Sequence, residues 1–171
     1  MATPPRIGIS RCLLGENVRH DGGHKRDSFL IETLGPHVEW VPVCPEVELG
    51  LGTPREPMRL AGDPRAPRLV TITSGIDHTE AMARFSQQRV RELEALDLSG
   101  YVFKTDSPSC GIGGVPFGVG LFAQAFMAHF PLIPVEDESR LHDPQAVQDF
   151  LERVQSYRLA KNPRPLRERE G

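Results

Sequence analysis

Long apolar runs are missing from this 171-residue sequence, and no stretch is long enough to cross a bilayer as a helix. The first residues, Met-Ala-Thr-Pro-Pro-Arg, have no apolar segment behind them, so no secretory leader is expected and a cytoplasmic location is. An excess of positive charge is also missing. Twenty Lys and Arg against 23 Asp and Glu leave a net charge of −3, which gives no electrostatic reason for general nucleic-acid binding. Cysteine is scarce, with three residues, and an odd count in a reducing compartment argues against a disulfide framework. No Cys-x-x-Cys pair occurs, so the usual sign of structural zinc is lacking. The combined signature of nucleobase deaminases, His-x-Glu followed by Pro-Cys-x-x-Cys, is lacking too, because no Pro-Cys-x-x-Cys occurs.

What remains is ordinary for one globular domain with a real core: 39% hydrophobic and 25% charged residues. Sixteen Gly and 16 Pro imply many turns. Arg6 to Ser10 reads as a strand, with Cys12 directly after it, and Leu14 to His24 as a polar loop. Asp27 is placed to cap a helix carrying Phe29, Leu30, Ile31 and Leu34, stopped at Gly35-Pro36. Val38 to Val43 is a second strand, followed by Cys44 and, after Pro45, a short helix over 46–51. Residues 53–67 form an irregular excursion, with a hairpin pairing Met58-Arg59-Leu60 and Leu69 to Ile72. A long helix spans 77–96. Gly100 to Lys104 is a strand, with Cys110 beyond it. Residues 119–130 are apolar on almost every side and read as a buried helix. Leu132 to Val135 is a last strand, and Asp143-Pro144 opens a final helix. The expected organisation is one domain over 1–159 and a disordered, Arg-, Glu- and Pro-rich tail over 160–171.

Strands alternating with helices imply an α/β, Rossmann-like fold with a mostly parallel sheet flanked by helices. In such sheets the ligand site lies at the C-terminal ends of the strands. All three cysteines follow predicted strands at that end, although 32 and 66 residues separate them in sequence. A lone Cys after a strand is often just a small buried hydrophobe. The Pro, Gly and Ser around Cys12, Cys44 and Cys110 instead favour exposed, usable thiols. Three thiolates suit a catalytic zinc or an iron–sulfur cluster, and one thiol with a His partner suits nucleophilic catalysis. Spacing alone leaves these readings open.

Four segments narrow them. They are Gly8-Ile9-Ser10-Arg11-Cys12-Leu13-Leu14-Gly15, Val18-Arg19-His20-Asp21-Gly22-Gly23-His24-Lys25, Cys44 to Arg55, and Lys104-Thr105-Asp106-Ser107-Pro108-Ser109-Cys110-Gly111. Together they resemble the bacterial thiouracil desulfurase family, formerly a domain of unknown function, over roughly residues 5–157. The resemblance implies an oxygen-sensitive [4Fe–4S] cluster held by Cys12, Cys44 and Cys110. It implies non-redox conversion of 2-thiouracil, or a related thiolated nucleobase or nucleoside, to the oxo form, with sulfur captured on the open iron. Glu46 is then the candidate general acid/base and Ser107 the residue that orients substrate or water. Ser10 and Ser109 are further substrate-contact candidates. Asp21-Gly22-Gly23-His24-Lys25 reads as an anion-binding nest or a tight loop, and Arg55 as a tie between the irregular segment and the rim of the site. His20 and His24 are expected to be solvated loop residues. The competing functions are a zinc-dependent hydrolase of a nucleobase and an iron- or redox-sensing module. The expected partner is a small thiolated base or nucleoside, with no membrane, and oligomeric state is open.

Overall fold

Ile7 and Ile9 alternate with Gly8 on strand β1 (Arg6–Ser10), and both isoleucines are fully buried. This strand sits inside a computed structural model that describes residues 3–112 and 118–162. On one side β1 pairs in parallel with β2 (Glu39–Val43), and on the other with β5 (Leu98–Phe103), which pairs in parallel with β6 (Val135–Asp137). The sheet order is β2-β1-β5-β6. Strand order reverses at β1, the switch point at which open α/β sheets form a crevice beyond their carboxyl ends. Strands β3 (Met58–Ala61) and β4 (Arg68–Thr71) make a separate antiparallel hairpin.

Every residue of β5 is buried, as expected for a strand covered on both faces. Tyr101 and Phe103 face the layer of α3 (Thr79–Ala95) and α4 (Leu121–His129), meeting Met82, Leu93, Phe122 and Phe126. Val102 faces the opposite layer, with Leu30 of α1 (Ser28–Thr33) and Phe150 and Val154 of α5 (Pro144–Lys161). A fully buried Phe such as Phe122, Phe126 or Phe150 contributes about 2 kcal/mol through burial. The Tyr101 ring lies over β1, where a Cβ on Gly8 would come 2.2 Å from its Cδ2. Only glycine permits that approach.

Asp27 caps α1 as expected, accepting from the Leu30 N–H. Other boundaries differ from the sequence reading. The short helix α2 (Pro45–Glu48) stops before Leu49 because Gly50 turns left-handed, at φ 102°. Helix α4 is buried on one side only: Phe122, Ala123 and Phe126 face the core, while Gln124, Ala128 and His129 are exposed. The last strand is not Leu132 to Val135 but β6, which begins at Val135. Leu132 is 83% exposed, and the strand carries Glu136 and Asp137, whose charges are met by Arg153 and by the turn at Ser139 and Arg140. Helix α5 runs to Lys161, past the expected end at 159, with Lys161 paired to Asp97. The rest of the expected tail, residues 163–171, lies outside the described residues.

Candidate active site

Three adjacent strands, β2, β1 and β5, each lead into one cysteine. After β1 the chain makes a 3-10 turn over Arg11–Leu14 that contains Cys12. Gly15, at φ 93°, closes this turn with its N–H on the Cys12 carbonyl. Lys25 N–H also donates to the Cys12 carbonyl at 2.9 Å, and Asp27 N–H to that of Leu13 at 2.9 Å, so the loop over 15–27 folds back across the thiol. Cys44 follows β2 directly, and its N–H donates to Glu48 Oε2 at 2.6 Å. Cys110 lies in a turn held by Ser107, whose Oγ accepts from Cys110 N–H at 3.1 Å. The start of α4 is woven onto that turn: the N–H groups of Gly120, Leu121 and Phe122 donate to the carbonyls of Gly111, Pro108 and Ser109.

All three cysteines line one cavity of about 960 Å³. None is in a disulfide. The expected exposure of the thiols is wrong. Cys12 and Cys110 are buried and Cys44 is half-buried, because the loops that looked polar in sequence fold over them. Burial pushes the Cys12 thiol up to about 12, with Cys110 raising it further and Lys104 and Arg19 opposing. Burial raises Cys44 to about 11, and Cys110 and Glu46 add to the rise. Cys110 is raised by burial, against hydrogen bonds from Ser10 and Ser107. Among the described residues no three His, Cys, Asp or Glu side chains converge tightly enough to hold a metal ion.

Glu46, at the start of α2, lies between two partners. Ser109 Oγ donates to its Oε2 at 3.0 Å, and Arg55 Nε to its Oε1 at 3.3 Å. Ser109 Oγ also lies 3.2 Å from Ser107 Oγ. Ser109 is fully buried, whereas Ser107 is partly exposed to the cavity. Ser10 lines the cavity too, with its hydroxyl engaged by Lys104 N–H and Cys110 Sγ. Arg55 does tie the irregular segment down: its guanidinium donates to the carbonyls of Val18 and Gly52, and its N–H to that of His20. His20 and Lys25 line the cavity. His24 Nδ1 instead accepts from Arg26 N–H. The glycines of this loop make a tight turn and not a nest. Gly22 N–H donates to the Arg19 carbonyl and Gly23 N–H to Asp21 Oδ1, which also lowers the Asp21 carboxyl.

Sequence reasoning missed an ion pair in the cavity wall. Lys104 Nζ lies 2.7 Å from Glu138 Oε1, and Glu138 also accepts from Thr105 N–H and Oγ1. Lys104 directly follows β5, so its position at a strand end was the available signal. Glu138 directly follows β6 and was hidden by the misplaced last strand.

Residues 7–138 match the family model of 2-thiouracil desulfurases. The chain belongs to that family. The match runs from β1 through Glu138 and so takes in every residue that lines the cavity except His142, leaving α5 outside. Among relatives of this desulfurase, the YbbK protein of Bacillus subtilis (strain 168), itself uncharacterized, is 32% identical over 112 residues. That alignment covers 63% of this chain and 74% of YbbK. Among solved structures, a [4Fe-4S]-dependent thiouracil desulfidase, TudS (DUF523Vcz), superposes with a TM-score of 0.71 at 30% identity. It covers 86% of this chain and 99% of its own. The Rossmann-like parallel sheet expected from the sequence is therefore the architecture shared with that enzyme.

Proposed function

We propose that this family member removes sulfur from 2-thiouracil or a related thiolated base or nucleoside, using a [4Fe–4S] cluster held by Cys12, Cys44 and Cys110. The observation that carries the reading is the convergence of three thiols from adjacent strand ends on the cavity that also holds Glu46 and Ser107. The donor set suits a cluster better than one zinc ion. Thiolates are the usual cluster ligands, and the three side chains brought to the cavity from the adjacent strand ends are all cysteines. When bound through three cysteines, a cubane supplies a Lewis-acidic iron with a free position that prefers soft sulfur to oxygen.

The reaction balances without electron transfer: a thiocarbonyl and water give a carbonyl and hydrogen sulfide. Glu46 accepts the proton of the water that adds to the thiocarbonyl carbon and returns a proton as the carbon–sulfur bond breaks. Arg55 and Ser109 fix the two oxygens of that carboxylate. Ser107, the partly exposed serine of the pair, meets substrate or water. The cavity volume is at the upper end for small-molecule sites, which leaves room for a nucleoside as well as a free base. Arg19, Lys25 and Lys104 make part of its wall basic.

Anaerobic reconstitution followed by iron and sulfide analysis, and by assay of uracil and sulfide formed from 2-thiouracil, tests this reading. The expected result is about four irons per chain and stoichiometric products. Cys12→Ser, Cys44→Ser and Cys110→Ser should each abolish turnover in a folded protein. Folded wild-type protein that takes up zinc but no iron would overturn it, and so would cysteine variants that retain activity.

A further inference from the structure

One buried hydroxyl in the cavity wall, that of Ser10, has no role in the reading above. Ser10 ends β1 and is 2% exposed, so it cannot present its side chain freely to a bound molecule. Its Oγ accepts from the backbone N–H of Lys104 at 3.0 Å and donates to Cys110 Sγ at 3.4 Å. With the Lys104 N–H filling an acceptor position, the hydroxyl proton is left for sulfur, and a thiolate can only accept it. Both ends are held independently. Lys104 is anchored by Glu138 and Thr105, and Cys110 by Ser107 and the start of α4. The donor therefore points at Cys110.

We propose that Ser10 is a positioning residue for the metal centre, its hydroxyl holding the Cys110 sulfur in ligating orientation and drawing electron density from it. The inference rests on the assignment of the three cysteines as cluster ligands. Hydrogen bonds to a ligating sulfur stabilise its anionic form and raise the reduction potential of the cluster. The same hydroxyl ties the end of β1, two residues before Cys12, to the end of β5. One small side chain thus sets the relative placement of two ligand-bearing segments.

The test compares anaerobically reconstituted wild-type, Ser10→Ala and Ser10→Thr proteins. Iron per chain and the midpoint potential of the cluster, followed by electron paramagnetic resonance, are measured in each. Ser10→Ala should hold iron with its reduction equilibrium shifted about tenfold toward the oxidised form, equivalent to 59 mV for one electron. Ser10→Thr, which keeps the hydroxyl, should return most of that shift. Equal potentials in wild-type and Ser10→Ala proteins of equal iron content would overturn the role of Ser10 and leave the ligand assignment standing. No iron in the wild-type protein would remove the ligand assignment and this inference with it. Should Ser10→Ala fail to fold, Ser10→Thr and Ser10→Val, matched in shape, isolate the hydroxyl, and identical potentials in that pair would overturn the proposal.

Discussion

Glu46 and Ser109 are 63 residues apart in sequence, and Ser109 Oγ donates to Glu46 Oε2 at 3.0 Å in the wall of the cavity. With Arg55 on the other oxygen, the carboxylate has one orientation. Glu46→Gln preserves the shape and an acceptor for Ser109 but removes the proton acceptor. A positioned acid/base contributes about 10²- to 10⁴-fold, so kcat for thiouracil should fall at least about 100-fold while iron content stays unchanged. Steady-state kinetics with iron analysis check this, and full turnover across pH in Glu46→Gln would exclude the role.

Glu48, two residues further along α2, has a different task. It accepts from Cys44 N–H at 2.6 Å, lies 2.8 Å from Arg89 Nε of α3, and 3.7 Å from Arg11 beside Cys12. The Arg89 contact is an ion pair without hydrogen-bond alignment, because Nε is left unpartnered. Glu48→Ala takes the carboxylate partner from Arg11, leaves Arg89 with Glu92 alone and frees the Cys44 backbone. The cost should be about 2 kcal/mol, below that of a fully buried pair because the site is partly wet. Urea unfolding of the cluster-free protein measures it, and a change under about 0.5 kcal/mol would show that Glu48 does not organise this junction.

The sheet was legible because its signals are local. Alternation in β1, the apolar Tyr101-Val102-Phe103 of β5, and the Asp27 and Asp143 caps each lie within a few residues. The placement of the cysteines was legible for the same reason, since each follows its strand. Their burial was not. It comes from the return of the loop over 15–27 and from bonds such as Lys104 N–H to Ser10, which spans 94 residues. Glu138 was missed because Leu132 and Ile133 outweighed the charged strand that follows, although Leu132 turns to solvent. Hydropathy cannot foresee that Glu136 and Asp137 find partners on α5 and in the next turn.

Gly120 tests how closely the Cys110 turn is packed. A Cβ there would lie 2.6 Å from the carbonyl carbon and oxygen of Ser109 and 3.0 Å from Cys110 N. All three are backbone atoms and cannot swing aside. Gly120→Ala must therefore push the Ser109–Cys110 peptide away from the start of α4. Overpacking of this kind costs about 1–3 kcal/mol, and the displaced turn should also hold less iron after reconstitution. Thermal unfolding and iron per chain check the two effects separately. A variant matching wild type in both would show that the turn is slack.

Asp77 supplies a pH dependence remote from the cavity. Its Oδ1 accepts from Thr79 N–H at the start of α3, and Arg68 of β4 pairs with Oδ2. The hydrogen bonds with Thr79, and then Arg68, hold the carboxyl down to about 2 from its ordinary 3.8. A carboxylate with a depressed folded-state pKa contributes stability that is fully present above the unfolded value and is lost as pH falls through the folded one. The contribution of Asp77 should therefore be complete above about pH 4 and vanish near pH 2. Asp77→Asn retains an acceptor for Thr79 but carries no charge to titrate. The difference in melting temperature between wild type and Asp77→Asn should be constant from pH 7 to 5 and shrink between about pH 4 and 2, while other carboxylates cancel in the comparison. A difference that stays constant to pH 2 would mean that the Asp77 charge contributes nothing to the junction of β4 with α3.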